Sequence, residues 1–106
     1  MLGFFLKIYT DENQKHAGVM LPEWLLAQAK SMGIQGGSAF RAVAGFSSYG
    51  MIYDETFFEL AGSLPVEVSF VVSEAQSEQF LALLKAENLQ LFYVKVAAEY
   101  GVTGER

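Results

Sequence analysis

Apolar and polar positions alternate along this chain in two distinct rhythms, and their order predicts its architecture. Phe4-Phe5-Leu6-Lys7-Ile8-Tyr9 is rich in aromatic and branched residues and gives way to the polar run Thr10 to Gly18, the pattern of a strand followed by a loop. Leu21, Trp24, Leu25, Gln28 and Met32 then recur at helical spacing. Pro22 suits the first turn and Gly33 offers a C-terminal cap, so the spacing predicts a helix over 21–32. After the turn Gln35-Gly36-Gly37, residues Ser38 to Phe46 read as a second strand ending in the loop Ser47-Ser48-Tyr49-Gly50.

Residues 51–63 follow no clean period. Acidic Asp54, Glu55 and Glu59 interleave with Tyr53, Phe57 and Phe58, and the whole stretch 47–63 reads as a projecting loop. Pro65 to Val72 is the clearest strand, with Val66, Val68, Phe70 and Val72 on one face and proline confined to its beginning. Ser73 and Gln76 have the spacing of a capping box, and Ser77, Phe80, Leu81 and Leu84 form the apolar side of a second helix that Asn88 can stop. A last strand spans Gln90 to Ala98, before the polar tail 101–106.

The order is βαββαβ. It predicts one α+β domain over 1–106 of the ferredoxin-like kind, an antiparallel four-stranded sheet with two helices on one face. Two helices cannot cover both faces of such a sheet. Yet Phe5, Val43, Val71, Phe92, Val94 and Val96 cannot all lie beneath helices together with Phe4, Phe40, Phe70, Leu91 and Tyr93. An uncovered apolar face marks an association surface, which makes self-association an expectation.

Composition narrows the chemistry. At 106 residues, 52% hydrophobic and 18% charged, the chain can bury roughly two-thirds of its unfolded surface and offset the entropy of ordering. The absence of cysteine excludes a disulfide framework, a thiolate metal site and a cysteine nucleophile. With His16 the sole histidine, one subunit cannot build a histidine-rich zinc site or a two-histidine relay. No metal site is expected. A net charge of -5 opposes broad attraction to nucleic acid or anionic lipid. The first ten residues lack a basic leader and stop too soon for a membrane span, so the expected setting is cytoplasmic, without direct membrane insertion.

Several residues are candidates for binding. Gly36-Gly37-Ser38 can offer backbone N–H groups and a hydroxyl to an anion, or can simply turn the chain from helix to strand. In the first case, a β-branched residue at Gly37 weakens anion binding more than folding. Arg41, set among apolar residues, needs a partner: it either binds an anion or bridges subunits to Glu67 or Asp54. Lys15 and His16 share a loop with Asp11, Glu12 and Asn13, where they either meet a ligand or stay solvated. Asp54, Glu55 and Glu59 lack the spacing of a calcium loop and suit acidic decoration better. Tyr49, Tyr53, Phe57 and Phe58 suit either docking into a partner or packing onto a neighbouring subunit.

The runs Gly18-Val19-Met20-Leu21-Pro22-Glu23, Met32-Gly33-Ile34-Gln35-Gly36-Gly37-Ser38 and Phe40-Arg41-Ala42-Val43-Ala44-Gly45-Phe46 occur in that order. They are followed by Leu64-Pro65-Val66 and Val71-Val72-Ser73. Together they resemble the PII-like family filed as domain of unknown function 190, over about Leu6 to Val96. The resemblance implies a homotrimer related to PII signalling proteins, whose intersubunit clefts hold a small effector, with an adenine nucleotide as the candidate ligand. It implies a ligand-binding set of Lys15, His16, Gly36, Gly37, Ser38, Arg41, Gly45 and Phe46, and a partner-binding loop carrying Tyr49, Tyr53, Phe57 and Phe58. By family analogy the protein target is a membrane transporter or channel. The chain departs from the family's common pattern at Ala42, Val19 and Lys85 to Leu89, where a glycine, a basic or polar residue and a basic loop are usual, and at Gly36-Gly37-Ser38, where Gly-Ala-Thr is common.

A regulatory protein without catalytic residues is thus the leading expectation. A small ferredoxin-like enzyme of isomerase type, using Arg41, His16 and a carboxylate, is an alternative that shows no nucleophile–base motif. A purely structural interaction module is another.

Overall fold

Among the described residues the longest strand is one of the two inner strands of the sheet, and both of its faces carry apolar side chains. The computed structural model describes residues 1–45 and 64–104. Strand β1 runs over Leu2–Asp11. A short ribbon follows, β2 over Lys15–His16 and β3 over Val19–Met20, then helix α1 over Leu21–Ser31 and strand β4 over Gly37–Arg41. Strand β5 spans Pro65–Val72, helix α2 spans Glu74–Ala86 and strand β6 spans Tyr93–Glu99.

The main sheet has the order β4-β5-β1-β6, with every neighbouring pair antiparallel. β1 and β4 therefore run parallel with β5 between them, joined through α1, and β5 and β6 run parallel with β1 between them, joined through α2. This pair of interleaved βαβ units is the ferredoxin-like fold. The core is built on one side of the sheet. Leu6 and Ile8 of β1 and Val66, Val68, Phe70 and Val72 of β5 meet Leu21, Leu25 and Ala29 of α1 and Phe80 and Leu84 of α2. The Phe70 and Phe80 rings cross edge to face with centroids 5.2 Å apart. Thr10, also on this side and buried, donates its hydroxyl proton to the Val66 carbonyl at 3.1 Å.

Local signals fix the helix ends. Ser73 accepts from the Gln76 amide at 3.1 Å while the Gln76 side chain accepts from the Ser73 amide at 3.0 Å, completing the capping box. Both helices end in Schellman motifs. Gly33 takes φ 84° after α1, with the Ile34 amide donating to the Ala29 carbonyl at 3.1 Å. Asn88 takes φ 59° after α2, with the Leu89 amide donating to the Leu84 carbonyl at 3.0 Å. Ile34 and Leu89 then fold onto the core.

Three expectations shift. The polar run after β1 is not a plain loop, because β1 continues to Asp11 and Lys15–Met20 folds back as the β2–β3 ribbon, turning on Ala17 and Gly18 at φ 52° and 83°. β4 stops at Arg41 instead of Phe46. Its alanine-rich continuation keeps one ladder bond, Ala42 amide to Pro65 carbonyl at 2.8 Å, and then departs, leaving Val43 97% exposed. β6 starts at Tyr93 instead of Gln90, because Leu89 and Leu91 turn inward to the core first. The stretch 47–63, with Phe46 before it, lies outside the described residues.

The other face of the sheet has no helix on it. Phe5, Val71, Val94 and Val96 point there, and so does Phe40, which pairs opposite Glu67. Phe40 is 59% exposed, Val96 46% and Val71 42%.

A two-residue hairpin of this twist needs left-handed backbone at both central positions, which costs an alanine about 1 kcal/mol. Ala17→Gly is therefore expected to raise the stability of the chain by up to about 1 kcal/mol, read from urea unfolding midpoints.

Candidate functional site

The glycine turn before β4 lies between two concavities. Gln35, Gly36, Gly37 and Ser38 line a groove of about 440 Å³ that opens on the helix-free face, walled by Phe40, Val71 and Tyr100. Behind the same turn a second groove of about 300 Å³ runs along α1, lined by Leu26, Lys30 and Ile34. Gly36 and Gly37 thus separate two concavities with little more than main chain.

Each glycine has a distinct role. A side chain at Gly36 would meet nothing within 4 Å, whereas a Cβ at Gly37 would lie 2.5 Å from the Phe70 ring and 3.1 Å from Leu26. Gly37 is therefore glycine because the Phe70 ring leans against it. Neither adopts a positive φ, so the alternating left- and right-handed backbone of an anion nest is not what this turn provides. Its polar offer is the Ser38 side chain and the main chain of an edge strand.

Tyr100 is a wall that sequence reading missed. It follows β6 and lies over Gly3, where a Cβ would come within 2.8 Å of its ring. A glycine inside an otherwise apolar strand was the available signal, since such glycines mark close approach of another group. Lys30, in the last turn of α1, is a second lining residue that was not anticipated.

Lys15, His16 and Arg41 lie at the opposite end of the sheet. β4 rises about 3.3 Å per residue, so Arg41 stands about 13 Å from Gly37, and one subunit does not bring the two groups of candidates together. His16 is not a free loop residue. Its Nε2 lies 2.8 Å from Glu87 Oε1 at the end of α2, and its ring meets Trp24 of α1 edge-on at 4.6 Å. Within the chain, Arg41 pairs through Nε with Glu12 Oε2 at 2.6 Å, while most of its side chain stays exposed. Glu12 is held in place by its amide, which donates to the Leu64 carbonyl at 3.0 Å. Gly45 sits beside Pro65 at this same end. Phe46, Tyr49, Tyr53, Asp54, Phe57 and Phe58 lie outside the described residues. Among the described residues no three metal-ligating side chains cluster, and no helix is long and apolar enough to cross a membrane.

Glu67 stands opposite Tyr9 on the open face. Tyr9 holds its proton above the usual value of 10.0, first because it is partly buried and then because of the neighbouring Glu67 carboxylate. The Phe92 ring packs beside Tyr9 with centroids 5.7 Å apart.

These features define a ferredoxin-like α+β domain with a glycine-edged groove on an uncovered sheet. The chain belongs to the DUF190 family, described as uncharacterized ACR, whose family model matches residues 3–91. It is similar to a UPF0166 protein of Aquifex aeolicus (strain VF5), with 34% identity over 83 residues that cover 78% of this chain and 79% of that protein.

Two outcomes are expected from this geometry. Gly37→Val should destabilise folding by about 1–3 kcal/mol through overlap with Phe70, read by urea unfolding; an unchanged midpoint would contradict the packing role. Tyr9 stabilises the fold fully below its unfolded value of 10.0, and that contribution is lost as pH rises through its higher folded value. Tyr9→Phe should therefore lose less stability than the wild type between neutral pH and about pH 11, compared by thermal melts.

Proposed function

We propose that this chain is a PII-like regulatory protein that assembles through the open face of its sheet, binds a small effector in a cleft between subunits and passes that occupancy to a protein target. The observation that carries this reading is the position of the Gly36–Ser38 groove. It opens on the same face as exposed Phe40 and Val71, so a subunit seated there would roof the groove and turn a shallow concavity into an enclosed one. Leaving that face wet would forgo about 1.5–3 kcal/mol for each side chain that assembly fully buries. An adenine nucleotide is the candidate effector through the likeness to PII-like proteins. Phe40 and Tyr100 supply ring surfaces for a base, and Ser38 supplies a polar side chain.

In an assembly the two candidate groups need not come from one subunit. The Gly36–Ser38 end of one copy and the Lys15, His16 and Arg41 end of another can border one cleft, which would account for their separation within a single chain. Arg41 and His16 are each already paired with a carboxylate, so a phosphate would have to compete with Glu12 or Glu87. This supports a modest, exchangeable site suited to sensing.

Light scattering at micromolar concentration is expected to give a mass near three times 11.7 kDa. Thermal-shift measurements with ATP, ADP and AMP, against inorganic phosphate as control, are expected to show stabilisation by at least one nucleotide, about 2.7 kcal/mol at a hundredfold excess over Kd. A monomer that no nucleotide stabilises would overturn the proposal.

A further inference from the structure

One row of side chains on the open sheet face is polar from the edge strand to the inner ones. Ser38 of β4 pairs with Ser69 of β5, and Ser69 pairs with Lys7 of β1. Neighbouring strands lie about 4.8 Å apart, so two hydroxyls and an ammonium-bearing chain stand in line across three strands. Ser69 is only 6% exposed, yet it lines the Gly36–Ser38 groove and makes no side-chain hydrogen bond among the described residues. Among those residues no side-chain oxygen is both sealed from solvent and unpartnered, so the Ser69 hydroxyl opens into the groove. A hydroxyl set this deeply and left unpaired is an offer to a ligand.

Lys7 supplies the charge. Its ammonium lies 5.1 Å from the centroid of the Phe5 ring, itself part of the groove lining, and has no ionic partner among the described residues. The ammonium therefore leans toward the row of Phe5 and Val71, away from Glu67 in the row on the other side. Phe40, Val71 and Tyr100 complete the walls with apolar and ring surface, and the groove's 440 Å³ is ample for one aromatic ring.

One cation beside two hydroxyls matches one negative charge. A carboxylate can accept from the Ser69 hydroxyl and the Lys7 ammonium together, in charge-assisted hydrogen bonds. A second negative charge would find no second cation in this row and would be repelled by Glu67. The ring walls favour a flat apolar body. We infer that the row Lys7, Ser69 and Ser38 seats the carboxylate of a small aromatic acid whose ring lies in the groove. This rests on the groove being an effector site, as proposed above, but on neither the nucleotide nor the assembly. A polyphosphate would draw on Lys15, His16 and Arg41 at the opposite end, whereas the acid is held by Lys7 within a single copy.

The test is a titration of para-fluorobenzoate into the full chain, followed by fluorine NMR, with para-fluorobenzamide as the uncharged match and acetate as a competitor without the ring. The acid should bind saturably, the amide at least about tenfold more weakly, and acetate should not displace the acid at equal concentration. Lys7→Met and Ser69→Ala should each weaken the acid by about tenfold, with circular dichroism to follow folding. If Lys7→Met unfolds the chain, Lys7→Gln is read in its place with the same expected loss. Absence of saturable binding, an amide that binds as well as the acid, or variants that bind like the wild type would each overturn the inference. ATP, ADP and AMP are tested in parallel on the same samples. Binding of the acid through Lys7 without a response to any nucleotide upholds this seat and removes the nucleotide reading, and a nucleotide response without binding of the acid does the reverse.

Discussion

Strand β1 must satisfy two different surroundings at once, and most of the structure follows from how it does so. It has main-sheet neighbours on both sides and contributes residues to both faces along its length. Leu6 and Ile8 are sealed beneath the helices, while Phe5, Lys7 and Tyr9 stay half-buried on the other side. Because successive side chains point in opposite directions, neither set can be moved without moving the other. A one-residue slip would expose the core and bury Lys7. The register of β1 against β5 and β6 therefore fixes both the folded core and the chemical character of the open face.

Close approach is the second organising theme. Phe70 fills the centre of the core and needs the missing side chain at Gly37, and the Val72 carbonyl and then the Tyr100 ring need the missing side chain at Gly3. Both glycines lie at the same end of the sheet, so the groove there is bordered by main chain and rings. At the other end, charged side chains bind elements together: Glu12 ties the turn after β1 to the end of β4, and Glu87 ties the end of α2 to the ribbon before α1. These pairs are partly exposed and contribute little to stability individually, but they set where cations are available to an incoming anion.

Local chemistry made much of the fold legible from the sequence. The capping box at Ser73, the left-handed stops at Gly33 and Asn88, and the inward face of β5 each depend on residues within one turn or one strand, so their spacing alone is informative. The candidate site was less legible. Gly36-Gly37-Ser38 stood out as a turn, but its two glycines look alike in sequence, and only the position of Phe70 separates the one that is sterically required from the one that is not. Tyr100 carried no signal of its own, because its role depends on Gly3 at the other end of the chain.

What the sequence determined by itself was the succession of elements, the two amphipathic helices and the excess of apolar residues over what two helices can cover. These are consequences of periodicity and of counting faces. Tertiary structure alone decided that Arg41 pairs with Glu12, that His16 lies between Glu87 and Trp24, that Phe40 faces outward, and that Lys7 and Glu67 share one apolar surface. Each of those outcomes depends on strand register or on contacts between distant segments. The energies that select among such partners belong to the folded sheet as a whole and leave no mark in any local stretch of chain.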